Sequence, residues 1–91
     1  MADIAVRLII IGRVQGVGFR FWTVREAIGR GLDGWVRNLP DGTVEALVAG
    51  PEEAVRNMAE ACRHGPRMAQ VVAIDESPAE LPAESGFRQI G

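Results

Sequence analysis

Apolar and polar positions alternate at the start of the chain. Ile4, Val6, Leu8 and Ile10 fall on one face of a strand, and Ala5, Arg7, Ile9 and Ile11 on the other. The second face is also partly apolar, so this strand is expected at the centre of a sheet, covered on much of both sides. Gly12 to Gly18 breaks the pattern with three glycines in seven residues, too many for a strand. From Phe19 the period lengthens. Phe21, Val24, Ala27 and Ile28 recur at helical spacing and predict an amphipathic helix closed by Gly29 and Gly31.

The second half repeats the theme with a hairpin inserted. Leu32 to Asn38 and Thr43 to Val48 read as strands joined by the turn Pro40-Asp41-Gly42. Gly50-Pro51-Glu52-Glu53 opens a second helix, with Pro at a tolerated first-turn position and acids at the positive end of the dipole. Its stripe is Val55, Met58, Ala59 and Cys62, and His64-Gly65-Pro66 stops it. Ala69 to Ile74 is expected as a fourth strand, bulged because it does not alternate strictly. Ser77 to Pro82 reads as a polar loop, and Phe87 to Ile90 as a short last strand.

The order is therefore β-α-β-β-α-β with a final strand. It predicts an α+β fold: a ferredoxin-like βαββαβ sandwich, an antiparallel sheet with two helices on one face. A chain of 91 residues is expected to form a single domain over 1–91. That fold hosts many functions and names none.

Composition narrows the chemistry. All ten basic residues are arginine, with no lysine and no tyrosine, against twelve acids and a formal net charge of −2. No lysine is present for a P-loop or a Schiff base, and no tyrosine for acid–base work. One Cys and one His build neither a zinc site nor a disulfide framework, so no metal and no cofactor are expected. The slight acidity speaks against a nucleic-acid partner. The apolar run Leu8–Ile11 is too short for a membrane span or a leader, so a soluble, cytoplasmic protein without a membrane partner is expected.

The segment Gly12 to Arg20 carries the candidate chemistry. Glycines permit positive φ, and successive N–H groups can then converge on an anion. The helix that follows adds unpaired N–H groups, and Arg20 stands beside them with a planar guanidinium that grips two oxygens at once. Turn composition alone favours the plainer alternative, a tight turn with a solvated arginine.

The residues Gly12-Arg13-Val14-Gln15-Gly16-Val17-Gly18-Phe19-Arg20 resemble the first signature of the acylphosphatase family. Gly34-Trp35-Val36-Arg37-Asn38, followed by Asp41-Gly42-Thr43-Val44-Glu45 and Gly50, resembles its second. The resemblance spans essentially the whole chain. It implies hydrolysis of acyl phosphates, with Arg20 binding phosphate, Asn38 orienting water, and the backbone amides of Gln15, Gly16, Val17, Gly18 and Phe19 forming the phosphate cradle. Gly18 stands at a variable position of the signature, held by Cys in some members. It is expected to loosen the loop slightly and removes no implied catalytic group.

The two motifs supply a cation, a neutral amide and backbone N–H groups, but no nucleophile and no base. Direct attack of water on phosphorus is the expected route. The implied partners are a small acyl phosphate and inorganic phosphate, product and competing ligand, acting on a monomer. Two other readings stay open: a non-catalytic phosphate-binding regulatory domain, and an RNA-binding module on the same fold. Among the remaining residues, Cys62 is expected to be an inert core thiol, His64 a helix-end residue, and Arg37 a solvated side chain.

Overall fold

A computed structural model describes residues 3–91; positions 1–2 of the expected domain lie outside the description. The elements run β1 (Asp3–Arg13), α1 (Phe19–Gly29), β2 (Asp33–Asn38), β3 (Val44–Pro51), α2 (Glu52–His64), β4 (Gln70–Pro78) and β5 (Phe87–Gln89). The sheet order is β4-β1-β3-β2-β5. β3 lies antiparallel to both β1 and β2, and β4 antiparallel to β1. Two split βαβ units therefore interleave, each straddling a strand of the other. β5 adds a parallel edge to β2, so the four-strand antiparallel core becomes a mixed five-strand sheet.

The register explains the core. Val6 faces Val48, Leu8 faces Ala46 and Ile10 faces Val44, while Val36 faces Ala46 from the other side. All of these side chains are buried, and they meet Val55, Met58 and Cys62 from α2 and Phe19 and Ala27 from α1. The α2 stripe is as expected, with Glu52 and Glu53 in its first turn and Arg63 and His64 in its last, matching the dipole at both ends.

Three expectations change. The α1 stripe is not Phe21, Val24, Ala27 and Ile28: Phe21 and Ile28 are each 60% exposed, and Phe19, Thr23 and Ala27 are buried instead. Apolar residues are spread around this helix, so periodicity could not choose its inner face. Phe19 chose it, and Thr23 follows because its hydroxyl donates to the Phe19 carbonyl at 2.8 Å. Second, β1 is central, but its outer face is only partly covered, since both helices pack against the opposite side. Third, Ser77 and Pro78 belong to β4 and not to a loop, facing Arg7 and Val6. Proline is tolerated there because β4 is an edge strand, where its missing N–H leaves no partner bereft.

The bulge expected in the fourth strand is present. Ile11 faces Ala73 and Gly12 faces Val71, which leaves Val72 without a partner. Gly12 makes the bulge possible: a Cβ there would lie 2.1 Å from the Gln70 carbonyl oxygen.

Candidate functional site

The chain leaves β1 at Arg13 and enters α1 at Phe19. Between them Gly16 (φ 75°) and Gly18 (φ 81°) take left-handed conformations that other residues adopt only with strain. Gly18 is the N-cap of α1, a position that suits glycine and gives the turn a defined shape. No side chain caps α1, and no acidic residue stands in its first turn. The N–H groups of Gln15, Gly16, Val17 and Gly18 donate no backbone hydrogen bond to the described residues. Several donors without a backbone partner thus lie in one short stretch of chain at the start of a helix.

Two anchors hold this loop. Val14 and Phe19, at its two ends, are each 1% exposed. The Phe19 ring lies 5.4 Å from that of Trp22. Burying a phenylalanine contributes about 2–3 kcal/mol. A helix cap contributes about 1 kcal/mol, so core packing and not capping fixes where α1 begins. The second anchor is the Gln15 side chain. Its Nε2 donates to the carbonyls of Leu39 (2.8 Å) and Thr43 (2.9 Å), tying the loop to the β2–β3 turn. That turn is stiffened by Asp41, which accepts from the Thr43 hydroxyl at 2.6 Å and from its N–H at 3.0 Å. Both bonds hold the Asp41 carboxyl below its usual range, the hydroxyl contributing more.

Asn38 ends β2 on the face shared with the buried Val36, and so points toward the helix layer. A pocket of about 140 Å³ opens there, lined by residues that include Gly16, Gly18, Phe19, Arg20 and Asn38. The fold thus brings Arg20 to Asn38 across 18 positions of chain. Arg20 makes no ion pair or side-chain hydrogen bond among the described residues, unlike Arg7, Arg30, Arg37, Arg56, Arg63 and Arg88; Arg13, Arg25 and Arg67 also make none, but they do not line this pocket. The Asn38 Oδ1 is buried and has no hydrogen-bond partner among the described residues. Gln15 and Val17 belong to the loop but do not line the pocket.

Val14, Phe21 and Gln89 complete the lining, and none of the three was foreseen as a site residue. Gln89 arrives because β5 pairs with β2, placing it beside Val36; nothing local in sequence announces that. The tethering role of the Gln15 side chain was also missed, although a polar amide inside a Gly-rich loop is a signal that could have raised it.

The other candidate chemistry lies elsewhere. Cys62 is fully buried, and burial pushes its thiol up to about 12, so it is neither accessible nor ionised. His64 is 79% exposed at the end of α2. It borders a wider depression of about 620 Å³ with Arg30, Glu53 and Asn57, where none of the motif residues gather. Arg37 is not simply solvated. It lies over the Trp35 ring at 5.3 Å and donates to Glu45 at 2.6 Å, on the sheet face away from the helices. Arg7 donates to the other oxygen of Glu45, which is 3% exposed. Burial alone would raise the Glu45 carboxyl. The hydrogen bonds from Arg37 and Arg7 outweigh it and hold the group below its ordinary value. Among the described residues no three His, Cys, Asp or Glu side chains cluster in a way that would hold a metal ion, and no helix is long and apolar enough to cross a membrane.

Comparison with known proteins agrees with this geometry. The acylphosphatase family model matches residues 6–89. The chain is 53% identical to an acylphosphatase of Nitrobacter hamburgensis, over 97% of this chain and 89% of that one. It is 58% identical to an acylphosphatase of Acidiphilium cryptum, over 92% of each. The crystal structure of acylphosphatase from Bacillus subtilis superposes with a TM-score of 0.93 at 39% identity, covering 97% of this chain and 99% of that one. Motifs, topology and relatives converge, and the chain belongs to the acylphosphatase family.

Proposed function

We propose that the pocket between the β1–α1 loop and the end of β2 is where this enzyme hydrolyses acyl phosphates, the activity of its family. In this reading Arg20 and the backbone amides of Gln15 to Phe19 hold the three non-bridging phosphate oxygens. Asn38 holds the attacking water. The observation that carries the reading is the Asn38 Oδ1: a buried acceptor without a partner, lining the same pocket as an arginine without a partner. A buried carbonyl left unpaired costs about 1–3 kcal/mol. A water that donates to it recovers that energy and is thereby fixed in place.

The reaction then needs no nucleophilic side chain. The water oxygen bonds to phosphorus, and the bond from phosphorus to the acyl oxygen breaks. The carboxylate leaves with the electron pair, and the water proton passes to a phosphate oxygen. A carboxylate is a stable leaving group, so positioning and charge stabilisation are the main requirements of a loose phosphoryl-transfer transition state. Inorganic phosphate, the second product, is expected to compete for the same cradle. A monomer as the working unit and a cytoplasmic location belong to the same proposal.

The test is Arg20→Lys, assayed on acetyl phosphate with inorganic phosphate as inhibitor. A point charge cannot reproduce the guanidinium fork, so kcat/KM is expected to fall about a hundredfold or more, and phosphate inhibition to weaken with it. Turnover by Arg20→Lys close to that of the parent enzyme would remove Arg20 from the phosphate-binding role.

A further inference from the structure

The geometry points to Phe21 as the residue against which the acyl group of the substrate lies, and so as the side chain that sets how strongly this enzyme favours a large apolar acyl group over a small one. This inference rests on the reading of the pocket as the phosphoryl-binding site.

Size comes first. Sites for small organic ligands enclose about 300–1,000 Å³. This pocket offers about 140 Å³. It can take a phosphoryl group and its water, but an extended acyl group must leave along the rim. On the loop side the rim is Gly16 and Gly18, where an added Cβ would meet nothing within 4 Å and no side chain waits to touch a ligand. On the β5 side it is Gln89, polar and exposed. On the α1 side it is Phe21, 60% exposed.

Isolated exposed apolar side chains are ordinary. Ile28, Met68, Val72 and Leu81 are of that kind, more than half exposed and absent from the pocket lining. Phe21 is the large exposed apolar side chain that lines it. Its place is dictated by its neighbours. Phe19 is committed to the core, and two residues further along a helix the side chain points to the other side. The Arg25 guanidinium carbon lies 5.8 Å from the centre of the Phe21 ring, which steadies it from one turn below. The remaining exposed ring surface is a flat apolar platform on the rim of the pocket that Arg20 also lines.

The full-length enzyme, Phe21→Ala and Phe21→Leu are assayed on benzoyl phosphate and on acetyl phosphate, each with inorganic phosphate as inhibitor. The readout is the ratio of the two kcat/KM values. Loss of an apolar contact of this size is expected to lower the benzoyl-to-acetyl ratio of Phe21→Ala about tenfold, expressed in KM more than in kcat. Phe21→Leu, which keeps apolar surface, is expected to restore most of it. A ratio in Phe21→Ala within about twofold of the parent value overturns the inference. Failure of phosphate to compete with either substrate in the parent enzyme would overturn the phosphoryl-site reading instead, and the two failures are read from separate columns of the same experiment.

Discussion

At the scale of single residues, Asn38 is the informative case. An asparagine closing a strand before a turn is ordinarily held by local hydrogen bonds. Here its Oδ1 is buried and unpartnered among the described residues. A structural role and a catalytic one then predict opposite signs. If Asn38 serves to hold water for attack, Asn38→Ala should lower kcat by about a hundredfold, leave phosphate able to inhibit, and leave thermal stability level or slightly raised, because an orphaned acceptor has been removed. Loss of stability together with loss of phosphate binding would instead assign Asn38 to the fold. Arg20 and Asn38 were both legible through the two signatures. Phe21 was misread as a core residue, because an apolar residue at helical spacing carries no mark of which side the core will take.

At the scale of elements, the site is an agreement among the β1–α1 loop, the start of α1 and the β2–β3 hairpin. The Gln15 side chain joins the first to the last with two hydrogen bonds. The carbonyls it reaches are already paired within the turn, Leu39 with the Gly42 N–H and Thr43 with the Leu39 N–H. Gln15→Leu therefore orphans no acceptor and is expected to cost only about 1–2 kcal/mol in thermal or denaturant unfolding. Its effect on catalysis should be larger in proportion. Small misplacements of a positioned group are costly, so kcat/KM should fall about tenfold or more, with weaker phosphate inhibition. A Gln15→Leu enzyme with parental kcat/KM and phosphate affinity would show that the loop keeps its position without this tether. The elements themselves were largely legible: both helices, the hairpin and the bulge followed from period, glycine and proline. The inner face of α1 and the length of β4 were not, since both are set by what packs or pairs against them.

At the scale of the whole molecule, Glu45 ties three strands on the sheet face away from the site. It accepts from Arg7 on β1 and Arg37 on β2, and sits almost completely buried between them. Its folded-state carboxyl titrates below the ordinary 4.5. Its contribution to stability is therefore present above pH 4.5 and lost as pH falls through the lower folded-state value. Glu45→Gln is expected to lower stability at pH 7 by about 1–3 kcal/mol, a modest loss because the freed arginines can turn to water. The deficit should shrink in acid, and thermal unfolding from pH 7 down to pH 3 reads both. A deficit independent of pH would show that the carboxyl's charge plays no part. The sequence by itself determined the order of elements, the Gly-rich loop, the candidate pair Arg20 and Asn38, and the absence of a nucleophile near them. Those are properties of local backbone preference, hydrophobic period and motif, each contained in a short stretch of chain. Tertiary structure alone decided that β5 would run parallel to β2 and bring Gln89 to the pocket, that Gln15 would reach the hairpin, that Glu45 would be buried between two arginines, and that Phe21 would face outward. Each of these depends on which distant segments meet, and packing settles that only when the sheet and both helices compete for the same core.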